Sequence, residues 1–328
     1  MRAVVCKTFC APEGLVVEDI PAPQAGPGEV LIEVRAAGIN FPDSLFIAGK
    51  YQVKPELPFV PGLELAGVVR ALGEGVTGLA PGQRVAAHPE NGGAFATEAV
   101  VRAGRVFPIP DTMDFVTAAG FLIAYGTSQH ALKDRGQLKA GETLLVLGAA
   151  GGIGLAAVEL GKAMGARVIA AASSTAKLAL CRHYGADEVI DYSGEDLRAR
   201  IKALTGGRGV DVVYDPVGGP YTEPAVRSLA REGRYLVLGF AAGEIPKIPL
   251  NLILLKTSAL VGAYWGPSID ADPQRNARNL EELYAWHAQG KLKPHISETY
   301  PLAQAALAIG RVASRQTQGK VVLEVDGR

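Results

Sequence analysis

The hydrophobic pattern of the chain changes character near residue 122. Beyond that point short apolar runs alternate with stretches of helical period. Residues 143–147, 167–172, 188–190, 211–214, 234–239 and 259–262 read as strands, and 155–164, 175–184, 195–204 and 221–230 as the helices between them. Such alternation predicts β-α-β units, hence an α/β fold with a doubly wound parallel sheet. Residues 1–122 read differently, as short strands separated by Gly and Pro turns. Gly26-Pro-Gly28 precedes a strand at 29–34, Pro61-Gly62 one at 63–71, and Pro81-Gly82 one at 83–87. This part is expected to be all-β and partly barrel-like. The tail holds helices near 280–289 and 302–314 and a closing strand at 319–324. It is expected to return to the N-terminal domain, which gives 1–122, 123–264 and 265–328 as the three segments.

The candidate chemistry sits where the strand at 143–147 turns into a helix. There the chain reads Gly148-Ala-Ala-Gly-Gly-Ile-Gly154. Glycines let a phosphate approach the backbone and a helix pack closely, and the unpaired N–H groups of a helix start face negative charge. Ala149, Ala150, Gly151, Gly152 and Ile153 are therefore expected to hold a dinucleotide pyrophosphate. Ligands of such sheets lie at the carboxyl ends of strands, which adds Ala172-Ser-Ser174, Asp215 to Gly218 and Gly239-Phe240-Ala241. Asp215 fits a helix cap as well as a cofactor contact. The end of the second strand carries Ser173, Ser174 and Lys177 and no acid. An acid there would accept from an adenine ribose and repel a 2′-phosphate, so its absence points to NADPH over NADH. Ser174 as a helix cap and Lys177 as a surface charge are the alternatives.

Composition narrows the rest. With 33 basic and 33 acidic residues, no global field draws the protein to nucleic acid or a membrane. The most apolar later stretch, 245–265, is broken by Lys247, Pro249, Asn251 and Lys256, and the first residues read as a strand. A soluble, cytoplasmic protein is expected. Its 3 cysteines fit reduced thiols, and its 5 histidines are scattered, without a Cys or carboxylate at ligand spacing, so no metal site is expected. No Ser nucleophile elbow is present, which argues against a hydrolase.

These residues resemble a family. Gly141-Glu142, the run Ala149 to Gly154 and Lys162 are similar to the signature of the zinc-free quinone oxidoreductase and zeta-crystallin branch of the medium-chain dehydrogenase/reductase superfamily. So are Ala37-Gly-Ile-Asn-Phe-Pro-Asp43, Gly62-Leu-Glu-Leu-Ala-Gly67, Pro81-Gly82 with Arg84-Val85, and Gly319 to Leu323. The likeness departs at Glu159, where the family usually carries Gln. Zinc-dependent members would have Cys near Asn40 and His at Leu63, and neither is present.

The resemblance implies a GroES-like catalytic domain, a Rossmann domain, NADPH between them, and a homodimer joined through the Rossmann sheets. It assigns the 2′-phosphate pocket to Ser173, Lys177, Tyr192 and Arg315. It places Asn40 toward nicotinamide and substrate and Tyr51 in the substrate loop. In the segment 121–127, where Ile123 replaces a usual Thr, either Tyr125 or Thr127 would face the nicotinamide. Asn40 also fits a turn cap, Tyr192 a loop aromatic and Arg315 a solvated helix end.

The first functional reading is an NADPH-dependent, metal-free and flavin-free reductase of quinones, in which the protein aligns the reactants in a water-poor site. A second keeps the cofactor and reduces conjugated enones, acrylates or enoyl thioesters. A third is an NADPH-binding protein with little turnover.

Overall fold

The computed structural model describes residues 1–325, which form two compact units. The first comprises Met1–Ile123, Ile269–Pro273 and the described chain from Pro294 onward. The second comprises Ala124–Ser268 and Gln274–Lys293.

In the first unit β1 (Arg2–Val5) pairs antiparallel with β2 (Val16–Asp19). The main sheet contains β3 (Glu29–Ile39), followed by the short helix α1 (Phe41–Ile47), then β4 (Leu65–Leu72), β5 (Arg84–Ala87), β6 (Glu98–Arg102) and β7 (Val106–Pro108). Val30, Ile32 and Val34 alternate inward along β3, as a sheet with one covered face requires. From Ala36 to Ile39 every residue is buried, because this end carries the side chains described below. Helix α2 (Phe115–Gln129) then leads into the second unit and continues as one π-helical stretch, His130–Arg135.

The second unit is built on six parallel strands: β8 (Thr143–Leu147), β9 (Arg167–Ala172), β10 (Glu188–Asp191), β11 (Val210–Asp215), β12 (Leu229–Val237) and β13 (Ala259–Gly262). Their order is β10-β9-β8-β11-β12-β13, the doubly wound arrangement expected. Between them lie α3 (Gly152–Ala163), α4 (Thr175–His183), α5 (Leu197–Leu204), α6 (Thr222–Arg227) and α7 (Asn251–Lys256). All five residues of β8 are buried, as in a strand covered on both faces. Helix α3 comes close to that strand because Gly161 has no side chain. A Cβ there would lie 2.7 Å from Leu144 Cδ2 and 2.9 Å from Val168 Cγ2.

Three expectations change. The segment 221–230 is not helical throughout: α6 ends at Arg227, and Leu229 pairs with Val210 as the start of β12. The strand then bulges, with Glu232 at φ 62°, before Arg234 resumes pairing at Val212. Helices α1 and α2 were not anticipated. The return of the tail is also interrupted. After α8 (Trp265–Ala271), helix α9 (Pro273–Ala288) belongs mostly to the second unit, where it buries Leu280 and Leu283 and where Asn279 donates to Asp134 Oδ2 at 3.0 Å. The chain re-enters the first sheet with β14 (Ile296–Pro301) and, after α10 (Ala305–Ala313), with β15 (Lys320–Glu324) against β3.

Candidate active site and cofactor turn

In the second unit the glycine turn is shaped by backbone. Gly148 turns at φ 59°, and Gly151 is the N-cap of α3, with no side chain capping the helix. A Cβ on Gly154 would lie 2.3 Å from Gly148 O and 2.9 Å from Ala149 Cα, so the helix start sits directly on the turn. A Cβ on Gly151 would meet only Gly148 O, at 3.4 Å, and this residue is exposed. Ala149 and Ala150 are buried, whereas Gly152 and Ile153 are half-buried. The result is an open, positively polarised helix end with room for an anion.

Because all six strands are parallel, the loops after β9, β11 and β12 lie at the same end of the sheet as this turn. Ser173 is exposed, while Ser174 caps α4, accepting from Lys177 N at 3.4 Å. The capping alternative therefore holds for Ser174. Lys177 is half-buried in the first turn of α4. Tyr192 stacks on Tyr221 with ring centroids 4.3 Å apart, and both line a recess of about 650 Å³. Gly239, Phe240 and Ala241 are half-buried in the loop after β12, which is tied to the loop after β11 by Ala241 N to Pro216 O at 3.1 Å.

Asp215 organises these loops. Its Oδ1 accepts from Val217 N at 2.7 Å and Gly218 N at 2.9 Å, and its Oδ2 accepts from Thr222 and Tyr235. The helix-cap reading of Asp215 does not hold: the helices that follow begin after Gly218 and Tyr221 with no side-chain cap, and Asp215 instead ties the loop by accepting from Val217 and Gly218 N–H.

Tyr125 and Thr127 lie on α2. Tyr125 is 3% exposed and its hydroxyl donates to Glu159 Oε2 on α3, while Thr127 is half-buried. Glu159, the family departure, is itself buried and also accepts from Lys293 N at 2.7 Å. Burial raises its carboxyl, opposed by those hydrogen bonds, and burial beside that carboxylate raises the Tyr125 phenol.

The first unit holds a site of another kind. Asn40 occupies the N-cap of α1, but its side chain does not cap the helix. Instead its Nδ2 donates to Glu64 Oε2 at 2.9 Å and, more weakly, to Gly38 O at 3.4 Å. Its Oδ1 accepts from Lys320 Nζ at 2.7 Å. Lys320 also donates to Glu64 Oε2 at 2.9 Å and Ile39 O at 3.0 Å. The other oxygen of Glu64 accepts from Ile123 N at 2.7 Å. Gly38 makes room for this carboxylate, since a Cβ there would lie 2.6 Å from Glu64 Oε2 and 2.0 Å from Ala119 O.

Asp43 completes the group. One oxygen accepts from Asn40 N at 2.7 Å, and the other has no hydrogen-bond partner. Burial, with Glu64 adding to it, pushes this carboxyl up to about 7, against the Asn40 and Leu63 N–H groups and Lys320. Exposures run from 0% for Glu64 and Asp43 to 7% for Asn40. Glu64, Asp43 and Lys320 were not singled out in the sequence, although each falls inside a quoted family segment. Tyr51 is half-buried and meets Phe46 edge-on, centroids 6.0 Å apart. Arg315 belongs to the first unit, just past α10, at φ 59°.

At the two positions where zinc-dependent members carry ligands, Asn40 has the bonds above and Leu63 offers its carbonyl to His88 Nδ1 at 2.7 Å. Among the described residues no cluster of three or more His, Cys, Asp or Glu could hold a metal ion, and no helix is long and apolar enough to cross a membrane.

Two family models match the chain: an alcohol dehydrogenase GroES-like domain over residues 26–111 and a zinc-binding dehydrogenase domain over residues 152–282. A quinone oxidoreductase-like protein 2 homolog from Nematostella vectensis is 40% identical over 325 residues, covering 98% of this chain and 88% of the relative. The chain belongs to the quinone oxidoreductase group of the medium-chain dehydrogenase/reductase superfamily. Solved structures agree. A mycobacterial member complexed with NADPH superposes with a TM-score of 0.93 at 33% identity, covering 99% of this chain and 100% of the other. The Escherichia coli quinone oxidoreductase complexed with NADPH gives 0.90 at 29% identity, over 99% and 100% of the two chains. For a quinone oxidoreductase of this group, the GroES-like and Rossmann-type domains are the expected pair.

Proposed function

We propose that the protein is an NADPH-dependent reductase of quinones that works without zinc or flavin. The observation that carries the cofactor half is the uncapped start of α3 on its glycine turn, with β9 beside it running into Ser173 and Lys177 and no acid among residues 173–177. These residues fit the group. Backbone N–H of Gly152 and Ile153 would hold the pyrophosphate, with Ser173 and Lys177 on the 2′-phosphate and Tyr192 near the adenine end. When bound, NADPH supplies a hydride to an electron-poor acceptor.

The residues of the chain bind, orient and exclude water. Asn40 presents its amide to the acceptor, and Tyr51 lines the acceptor pocket. Thr127, not Tyr125, serves the nicotinamide, because the Tyr125 hydroxyl is committed to Glu159. Zinc independence is supported by residue type at the two ligand positions, Asn40 and Leu63. The sparse cysteines support a reducing compartment, the cytoplasm.

The test is NADPH oxidation by the purified protein with benzoquinone, phenanthrenequinone, an alkyl enone and crotonyl-CoA side by side, NADH serving as the control. Turnover preferring quinones and NADPH is expected. Preference for the enone or thioester would make the protein an alkene reductase, and NADPH binding without turnover of any acceptor would make it a binding protein.

The same reading includes a homodimer. Strand β13 is the edge of the six-stranded sheet, and nearby Leu250, Leu254 and Leu255 are 76%, 77% and 72% exposed. An apolar edge of this kind is covered in soluble proteins. Light scattering is expected to give twice the chain mass, and Leu254→Glu with Leu255→Glu to halve it.

A further inference from the structure

We infer that Lys320 is a positioning residue for reduction, acting through the Asn40 amide. The inference rests on the reading that Asn40 meets the acceptor. Lys320 is 5% exposed, and its three N–H bonds go to Ile39 O, Asn40 Oδ1 and Glu64 Oε2. No donor capacity is left for a ligand, so any part it takes in turnover passes through a neighbour.

Asn40 is that neighbour, and its orientation is set by charge. The amide oxygen faces the ammonium of Lys320 and the amide nitrogen faces the carboxylate of Glu64. A flipped amide would set NH₂ against NH₃⁺ and oxygen against carboxylate, two repulsions in a buried site. The ion pair thus selects one of two otherwise similar rotamers. It also polarises the amide: a cation on the carbonyl oxygen strengthens the N–H groups as donors. One of these N–H groups is held only by Gly38 O, at 3.4 Å, and is the group best placed to be given to a ligand.

Reduction of a quinone creates a demand for such a donor. Hydride addition at a ring carbon conjugated to a carbonyl breaks the ring C=C π bond and moves an electron pair onto that carbonyl oxygen, and the resulting enolate takes a proton from water and tautomerises to the hydroquinone. A polarised N–H stabilises the oxygen while that charge develops. Asn40 supplies this donor and Lys320 with Glu64 aims it.

A double-mutant cycle on the full-length protein tests this, with NADPH oxidation by benzoquinone giving kcat and KM and fluorescence titration giving NADPH affinity. Asn40→Ala and Lys320→Met are each expected to lower kcat by about tenfold to a hundredfold, the scale of one charge-assisted hydrogen bond. NADPH affinity should stay at the wild-type value. In the Asn40→Ala background Lys320→Met should cause little further loss, because its route to the acceptor is already gone. Glu64→Gln with Lys320→Met removes both charges together. It should be more stable than Lys320→Met alone, which keeps the test readable if that variant fails to fold, and should show the same loss of kcat.

Losses that multiply in the Asn40→Ala/Lys320→Met variant would overturn the inference. So would wild-type kcat in the charge-free pair while Asn40→Ala is slow. Wild-type kcat in Asn40→Ala would instead overturn the reading of Asn40 itself, and the inference with it.

Discussion

The two units solve the problem of presenting polar groups in opposite ways. In the second, the glycine turn is made of main chain: a glycine at positive φ, an uncapped helix end and, at Gly154, close contacts that exclude even a Cβ. In the first, the site is made of side chains, with two carboxyls, an ammonium and an amide buried together. A backbone site is held by local geometry and leaves a local mark in the sequence. A side-chain network is held by mutual neutralisation, and no single stretch of sequence shows which residues meet, because each member matters only in the presence of the others.

The largest effect is expected at the ion pair. Lys320→Met leaves Glu64 buried without its cation and is expected to destabilise the protein by about 3–5 kcal/mol. Adding Glu64→Gln should recover most of that. Chemical denaturation of the three variants measures both, and a Glu64→Gln/Lys320→Met protein no more stable than Lys320→Met would show that the charges are not what couples these positions.

Asp43 gives the next effect. Its folded carboxyl is raised from 3.8 to about 7, so between these values the folded state holds a proton that the unfolded state releases. Its contribution is therefore fully present below about pH 4 and declines as pH rises toward 7, by a total on the order of 4 kcal/mol. Asp43→Asn keeps an oxygen for Asn40 N–H and removes the titration. Thermal unfolding across this range should show the variant gaining on the wild type as pH rises, and parallel curves would contradict the assignment.

Smaller effects belong to the second unit. Lys177→Ala should weaken NADPH by about 1.5–3 kcal/mol while sparing NADH, the loss of one charge-assisted contact to a phosphate. Equal weakening of both cofactors, read by fluorescence titration, would remove Lys177 from a 2′-phosphate pocket. Gly154→Ala puts a methyl group against main chain that cannot swing aside and should lower stability by about 1–3 kcal/mol. Gly151→Ala, with only ordinary contact at 3.4 Å, should unfold at the wild-type temperature. Differential scanning calorimetry of the pair separates the two glycines.

The same contrast explains what could be read from the sequence. The β-α-β series was legible because the strands hold short apolar runs and the helices between them a period of their own, as in residues 144–147 of β8, 168–172 of β9 and α3. Helix α6 was misjudged because Leu229 and Ala230 look equally apolar in a helix or a strand, and pairing with β11 decides between them. In the site, Asn40 stands out through its motif, whereas Glu64 and Lys320 fall inside segments that read as strands, 63–71 and 319–324. Nothing local says that these residues, 256 positions apart, meet at 2.9 Å. Asp215 shows the converse: the N–H groups it holds, on Val217 and Gly218, lie within the next three residues, so a local role is legible there although the group it organises is a loop and not a helix start.

That separation along the chain also sets an order of assembly. Strand β15 inserts between β14 and β3, with Val321 opposite Ile39, so the first unit completes its sheet with residues made after every strand of the second. The six strands of the second unit are all synthesised before then. On the emerging polypeptide, the Rossmann sheet can be complete while Glu64 and Asp43 still wait, solvated, for their cation. The unit that starts ahead of the other closes after it, and the slow, non-local pairing of β3 with β15 is where nascent chains are most exposed to misfolding.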